Sequence, residues 1–145
     1  MSFRYGKKST KKLGSAHPDL QLIFNTAIQY IDITILEGHR TKEVQDTYVS
    51  RGASKVEWPN SKHNSTPSNA VDAAPYPIPF DWGLGSRDEI EKFKYLAFLV
   101  KGVAYGLYEA GKVSHLIRWG GDWDNDNDVL DQSFDDLVHF ELCPP

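Results

Sequence analysis

Ser61-Lys62-His63, Ala70-Val71-Asp72-Ala73-Ala74-Pro75 and Asp136-Leu137-Val138-His139-Phe140-Glu141-Leu142 are the three stretches on which the reading of this 145-residue chain turns. Ala70 to Ala74 is apolar apart from one acid, which predicts a short buried strand that delivers Asp72. Val138 to Leu142 predicts a second strand, and strand alternation sets His139 on the face opposite Val138 and Phe140. His63 lies in the polar stretch 53–69, where Pro59, Asn60, Asn64, Pro67 and Ser68 predict a loop. Read together, His63, Asp72 and His139 offer two imidazoles and one carboxylate to Zn2+. The fourth tetrahedral position stays open to water, which marks a catalytic zinc rather than a structural one. Asp136, three residues before His139, reads as the base that works on that water, with Asp135 as the competing acid. Glu141 shares the His139 face of the strand and suits support of that imidazole.

The rest of the chain supplies helices and further strands. Leu20, Ile23, Phe24, Ala27, Ile28 and Ile31 fall on one helical face over residues 18–30, with Pro18 in the first helical position and Asp19 in the first turn. Ile31 to Glu37 alternates as a strand and meets Gly38. Thr41 suits the N-cap of a short helix to about Arg51, closed by Gly52. Pro75, Pro77 and Pro79 predict an extended loop. Ser86-Arg87-Asp88-Glu89 reads as a capping box opening the longest helix. That helix runs to about Ala110, carries Ile90, Phe93, Ala97, Val100, Ala104 and Leu107 on one stripe, and closes at Gly111. Leu116 to Trp119 predicts a strand turned by Gly120-Gly121. The order implies an α+β fold: one domain over residues 1–145 with a small, mostly antiparallel sheet packed by helices.

Composition narrows the function. Hydrophobic content of 40% and charged content of 25% suit a globular chain with a single core. A net charge of −4 argues against general nucleic-acid binding. Cys143 is the one cysteine, so no internal disulfide and no thiolate pair is available. No apolar run is long enough to insert in a membrane, and the N-terminus lacks the apolar region of a signal peptide. A monomer made and folded in the cytosol is expected; a substrate outside the membrane would be reached only after release. Arg4, Lys7, Lys8, Lys11 and Lys12 crowd the N-terminus, either as a solvated face or as a contact for an anionic envelope polymer.

Asp122-Trp123-Asp124-Asn125-Asp126-Asn127-Asp128 alternates acids with other residues. Counted from Asp124, oxygen ligands fall at positions 1, 3 and 5, and Asp135 at position 12, as in an EF-hand loop. Val129 stands where that loop needs glycine, Asp135 is shorter than the usual glutamate, and no helix pair flanks the stretch. Ca2+ held by Asp122, Asp124, Asp126 and Asp128 is one reading; a solvated acidic turn is the other. Trp119 and Trp123 either line a substrate groove or cap the core. His17, His39 and His115 read as core or surface histidines.

The His63-to-Asp72 and Asp136-x-x-His139 patterns resemble the His-x(n)-Asp and acid-x-x-His motifs of the LAS zinc peptidases, which include D-alanyl-D-alanine carboxypeptidases, phage endolysins and the Hedgehog signalling domain. Phe3-Arg4-Tyr5-Gly6 with Ser9 and Leu13, His17-Pro18-Asp19-Leu20-Gln21, Glu37-Gly38-His39-Arg40-Thr41 with Gln45, and Arg118-Trp119-Gly120-Gly121-Asp122-Trp123 resemble the small phage endolysins in particular. The resemblance implies a Hedgehog/DD-peptidase-like fold. It implies a zinc peptidase that cuts the L-alanyl-D-glutamate bond of bacterial peptidoglycan, made in the host cytoplasm and acting on the wall after release. It also implies that Asp136 is the base, that Arg40 faces the active site to hold a substrate carboxylate or the oxyanion, and that Gln45 and Ser61 join it in substrate binding. One departure is the longer His63-to-Asp72 spacing, which a loop absorbs at small entropic cost but which would reshape the pocket rim. A D-alanyl-D-alanine carboxypeptidase or dipeptidase, and a zinc-bearing binding domain without turnover, are the alternative readings.

Overall fold

Eight elements follow one another among the described residues: α1 (Lys7–Gly14), α2 (Pro18–Ala27), β1 (Ile33–Glu37), α3 (Lys42–Ser50), β2 (Ala70–Pro75), α4 (Arg87–Glu109), β3 (Ile117–Gly120) and β4 (Asp136–Leu142). The computed structural model describes residues 3–79, 87–127 and 136–144, with side chains left out for residues 87–89. The expected Ser86–Glu89 capping box therefore lies outside the described residues, as do Asp128, Val129 and Asp135. The four strands form one antiparallel sheet in the order β1-β2-β4-β3, so the fold is α+β as expected.

Local chemistry explains most boundaries. The Thr41 side chain caps α3 by accepting from the Val44 amide, and Gly52 follows the helix with φ +74°. Gly111 ends α4 the same way, at φ +72°. Helix α1 was not expected, because its sequence, KKSTKKLG, has no broad apolar stripe. Of its residues only Ser9 and Leu13 turn inward, while Lys7, Lys8, Lys11 and Lys12 stay exposed. Packing rather than propensity sets this helix in place. Ser9 Oγ accepts from the Ile35 amide at 3.1 Å, which satisfies a donor on the edge of β1.

The core lies between the sheet and helices α2 and α4. Leu20, Ile23, Phe24 and Ala27 of α2 and Phe93, Leu96, Ala97, Val100 and Ala104 of α4 meet Ile35, Val71, Ala73, Trp119 and Phe140 of the sheet. Phe24 and Phe140 pack edge to face with centroids 5.4 Å apart, an arrangement that contributes about 0.5–1.5 kcal/mol beyond burial alone. This packing claims the face of β4 that carries Phe140. His139 and its neighbour Asp72 are left on the other face, free for chemistry.

Candidate metal centre

Asp72 and His139 are register partners across β2 and β4, so the central pair of strands sets their spacing directly. His63 arrives from the loop between α3 and β2 and is held there by several bonds. Its amide donates to Ser61 Oγ at 3.2 Å, and the Asn64 carboxamide accepts from the Ser61 amide at 3.0 Å. Its ring nitrogen Nδ1 lies 2.8 Å from the Gly38 carbonyl, which fixes Nδ1 as the protonated nitrogen and leaves Nε2 as the one with a free lone pair. That Nε2 lies 3.1 Å from Asp72 Oδ1. His139 is held the opposite way round. Its Nε2 lies 2.9 Å from Glu141 Oε1, and its Nδ1 lies 3.4 Å from Asp72 Oδ1.

Two imidazole nitrogens and a carboxylate thus converge, with their ligand atoms all within 4.8 Å of one another. Each imidazole is tied at its far nitrogen to an acceptor, the usual support for a metal-ligating histidine. Glu141 is itself anchored, accepting from Arg118 Nη2 at 2.7 Å. The charges follow. Burial alone would raise the Asp72 carboxyl, but hydrogen bonds from His139 and His63 outweigh it and hold it well below the usual range. Burial likewise opposes a charged His139, yet Asp72 and Glu141 together push it up to about 9. The three expected ligands are therefore together in space and could hold a metal ion.

Two glycines make this geometry possible. A Cβ on Gly38 would lie 2.1 Å from the Lys12 carbonyl oxygen and 2.4 Å from Ser15 Oγ. Only glycine lets the end of β1 approach α1 closely enough to aim its carbonyl at His63. A Cβ on Gly120 would lie 2.1 Å from the Asp136 carbonyl oxygen. Here the ladder slips: Trp119 pairs with Phe140, but Gly120 pairs with Asp136. The three residues Leu137 to His139 are absorbed as a bulge, which breaks strict alternation between Asp136 and His139. Burial first, then the Asp72 carboxylate, raises Asp136 above the usual carboxyl range, against the pull of His139, His63 and Arg40.

Arg40 follows β1 and is held on several sides. Its Nε donates to Glu37 Oε1, its Nη1 donates to Gln45 Oε1 at 2.9 Å, and its Cζ lies 4.5 Å from the Tyr48 ring centre. Its Nη2 stands 3.8 Å from Asp72 Oδ2. Gln45, expected to touch substrate, is fully buried, and its Nε2 donates to the Val56 carbonyl at 2.6 Å and to Ser54 Oγ at 3.1 Å. Its direct partner at the site is Arg40. Ser61, expected in the same role, is half-buried and holds the turn that carries His63. Sequence reading missed Glu37 and Tyr48 as site residues; the i, i+3 spacing of Glu37 and Arg40 was the available signal.

The acidic stretch is built around Asp122, which is fully buried. Its carboxylate pairs with Lys101 Nζ at 3.2 Å and accepts from the amides of Asp126 at 3.3 Å and Asn127 at 2.8 Å. Carboxylate oxygens of Asp122, Asp124 and Asp126 lie within 4.8 Å of one another. Desolvation and the neighbouring Asp126 and Asp122 carboxyls raise Asp124. Trp119 is wholly buried and donates to the Leu137 carbonyl at 2.8 Å, so it belongs to the core. Trp123 is half-buried with its ring 5.5 Å from that of His139, so it flanks the centre.

The chain is similar to known proteins over most of its length. The chain is 31% identical over 136 residues to the L-alanyl-D-glutamate peptidase of Escherichia phage T5, covering 91% of this chain and 90% of that protein. Its fold matches the crystal structure of the L-Ala D-Glu endopeptidase ChiX of Serratia marcescens with a TM-score of 0.68 at 24% identity, covering 98% of this chain and 91% of that one. The profile of the phage L-alanyl-D-glutamate peptidases matches residues 1–143, and the chain belongs to that family.

Proposed function

We propose that this chain is a zinc-dependent peptidoglycan peptidase of the endolysin type, which hydrolyses the L-alanyl-D-glutamate bond of the stem peptide. The observation that carries this reading is the convergence of His63 Nε2, His139 Nδ1 and the Asp72 carboxylate, each imidazole supported behind by Gly38 or Glu141. Two nitrogens and one oxygen suit zinc better than a hard cation. When bound, zinc polarises the scissile carbonyl and lowers the pKa of water to about 7.

The chain's own residues do the rest. Asp136 accepts the proton of the attacking water and returns one to the departing amine; a raised carboxyl suits both tasks near neutral pH. Arg40 presents Nη2 beside Asp72 and faces the oxygen that gains negative charge during the reaction. Gln45 holds Arg40 in that direction, and Ser61 holds the turn bearing His63. We further infer that Ca2+ binds at Asp122, Asp124 and Asp126. The polymer attacked is that of the bacterial wall. Among the described residues, no helix is long and apolar enough to cross a membrane.

Metal analysis tests the proposal. The purified chain should hold about one zinc, and His63→Ala, Asp72→Ala and His139→Ala should each lose it. Full zinc occupancy in all three variants would rule the centre out.

A further inference from the structure

We propose that Tyr48 is a positioning residue for the reaction, acting through Glu37 and its own ring to aim the Arg40 guanidinium at the metal centre. This rests on the role given above to Arg40. Three contacts carry it. The Tyr48 hydroxyl donates to Glu37 Oε2 at 2.8 Å, while Glu37 Oε1 accepts from Arg40 Nε. One carboxylate therefore joins the tyrosine to the arginine. The Tyr48 ring lies 4.5 Å from Arg40 Cζ, within the range of a cation–π contact. Gln45 Oε1 takes Nη1 at 2.9 Å.

These partners account for Nε, Nη1 and the guanidinium face. What remains is Nη2. It stands 3.8 Å from Asp72 Oδ2, too far for a hydrogen bond, so with respect to the described residues its donors stay available to an incoming oxygen. A free arginine side chain samples many rotamers, and holding it in one direction before substrate arrives removes that reorganisation from the reaction step. Tyr48 reaches this place because α3 starts just after Arg40 and carries it on the turn after Gln45. Its effect belongs in kcat, because the oxygen it serves gains charge only during the reaction.

A double-mutant cycle on the zinc-loaded full chain tests this, using purified stem-peptide fragments that contain the L-Ala–D-Glu bond. Tyr48→Phe keeps the ring and loses the hydroxyl, so kcat should fall roughly 3- to 10-fold. Tyr48→Leu loses both, and kcat should fall roughly 10- to 100-fold. KM should stay within about twofold and zinc per chain should not change. Arg40→Ala should lose most activity, and adding either Tyr48 change to it should cost nothing further. Wild-type kcat in both Tyr48 variants beside an inactive Arg40→Ala would overturn the positioning role, as would additive losses in the double variant. An active Arg40→Ala would instead overturn the role of Arg40 beneath it. If Tyr48→Leu does not fold, Tyr48→Phe and Arg40→Ala complete the cycle alone.

Discussion

Glu37 and Asp72 stand opposite each other at the end of the β1–β2 ladder, and the Arg40 guanidinium lies against both carboxylates. Like charges directly opposite in an antiparallel pair are destabilising, so the Arg40 cation offsets a repulsion in the sheet. The candidate metal ligand Asp72, the arginine and the last residue of β1 thus form one charge system. Changes in any of them should be felt at the centre.

Gly38→Ala should damage both the fold and the metal site. The new methyl would meet the Lys12 carbonyl at 2.1 Å, and neither backbone can yield without parting α1 from β1. The cost should be roughly 1–3 kcal/mol in urea unfolding, with weaker zinc binding as the Gly38 carbonyl shifts from His63. Gly14→Ala is the control, because a Cβ there meets nothing within 4 Å. Equal stability of the two variants would contradict the close-approach argument.

Removing the carboxylate behind His139 should loosen the metal without unfolding the chain. Glu141 Oε1 accepts from His139 Nε2 at 2.9 Å and orients the ring. Glu141→Ala should weaken zinc binding roughly 10- to 100-fold in a competitive chelator titration. Unchanged affinity would mean that Phe140 and Val138 alone fix the ring.

The acid sensitivity of the fold should run partly through Asp19. Desolvation would raise this carboxyl, but His115, the Ser114 amide and His17 together hold it below its ordinary value. His115 Nδ1 lies 2.7 Å from its Oδ2, a contact that ties α2 to the segment before β3. A depressed native pKa contributes stability that is present above the unfolded value, near 4, and lost as pH falls through the native value. The stability difference between wild type and Asp19→Asn should therefore be full at pH 6 and shrink by pH 3. An equal gap at both pH values in urea unfolding would remove Asp19 from the account.

Calcium should raise activity without displacing zinc. Asp122 is already paired with Lys101, so the gain should depend chiefly on the exposed Asp124 and Asp126. Asp124→Ala combined with Asp126→Ala should abolish the response. Identical turnover with calcium and with a calcium-selective chelator would leave these residues as a solvated acidic turn.

Much of this was legible in the sequence, and the rest was hidden for physical reasons. The three residues that converge could be read because each sits in a local pattern: Asp72 and His139 interrupt apolar strands, and His63 lies in a polar loop. Helix α1 could not, because its stability comes from packing Ser9 and Leu13 against β1 rather than from a wide apolar face. The sheet order required pairings between residues distant in sequence, which periodicity does not encode. The bulge opposite Gly120 and the Glu37–Tyr48–Arg40 contacts depend on that order as well. Gln45 was found by resemblance, but only the structure shows it buried and accepting from Arg40.

The most direct test of the central claim is mass spectrometry of the fragments released from purified peptidoglycan by the zinc-loaded chain, with Asp136→Ala alongside. The account predicts new ends at L-alanine and D-glutamate. It also predicts that Asp136→Ala, still holding its zinc, releases roughly 10²–10⁴-fold less. Cleavage at the terminal D-alanyl-D-alanine bond, or undiminished release by Asp136→Ala, would contradict it.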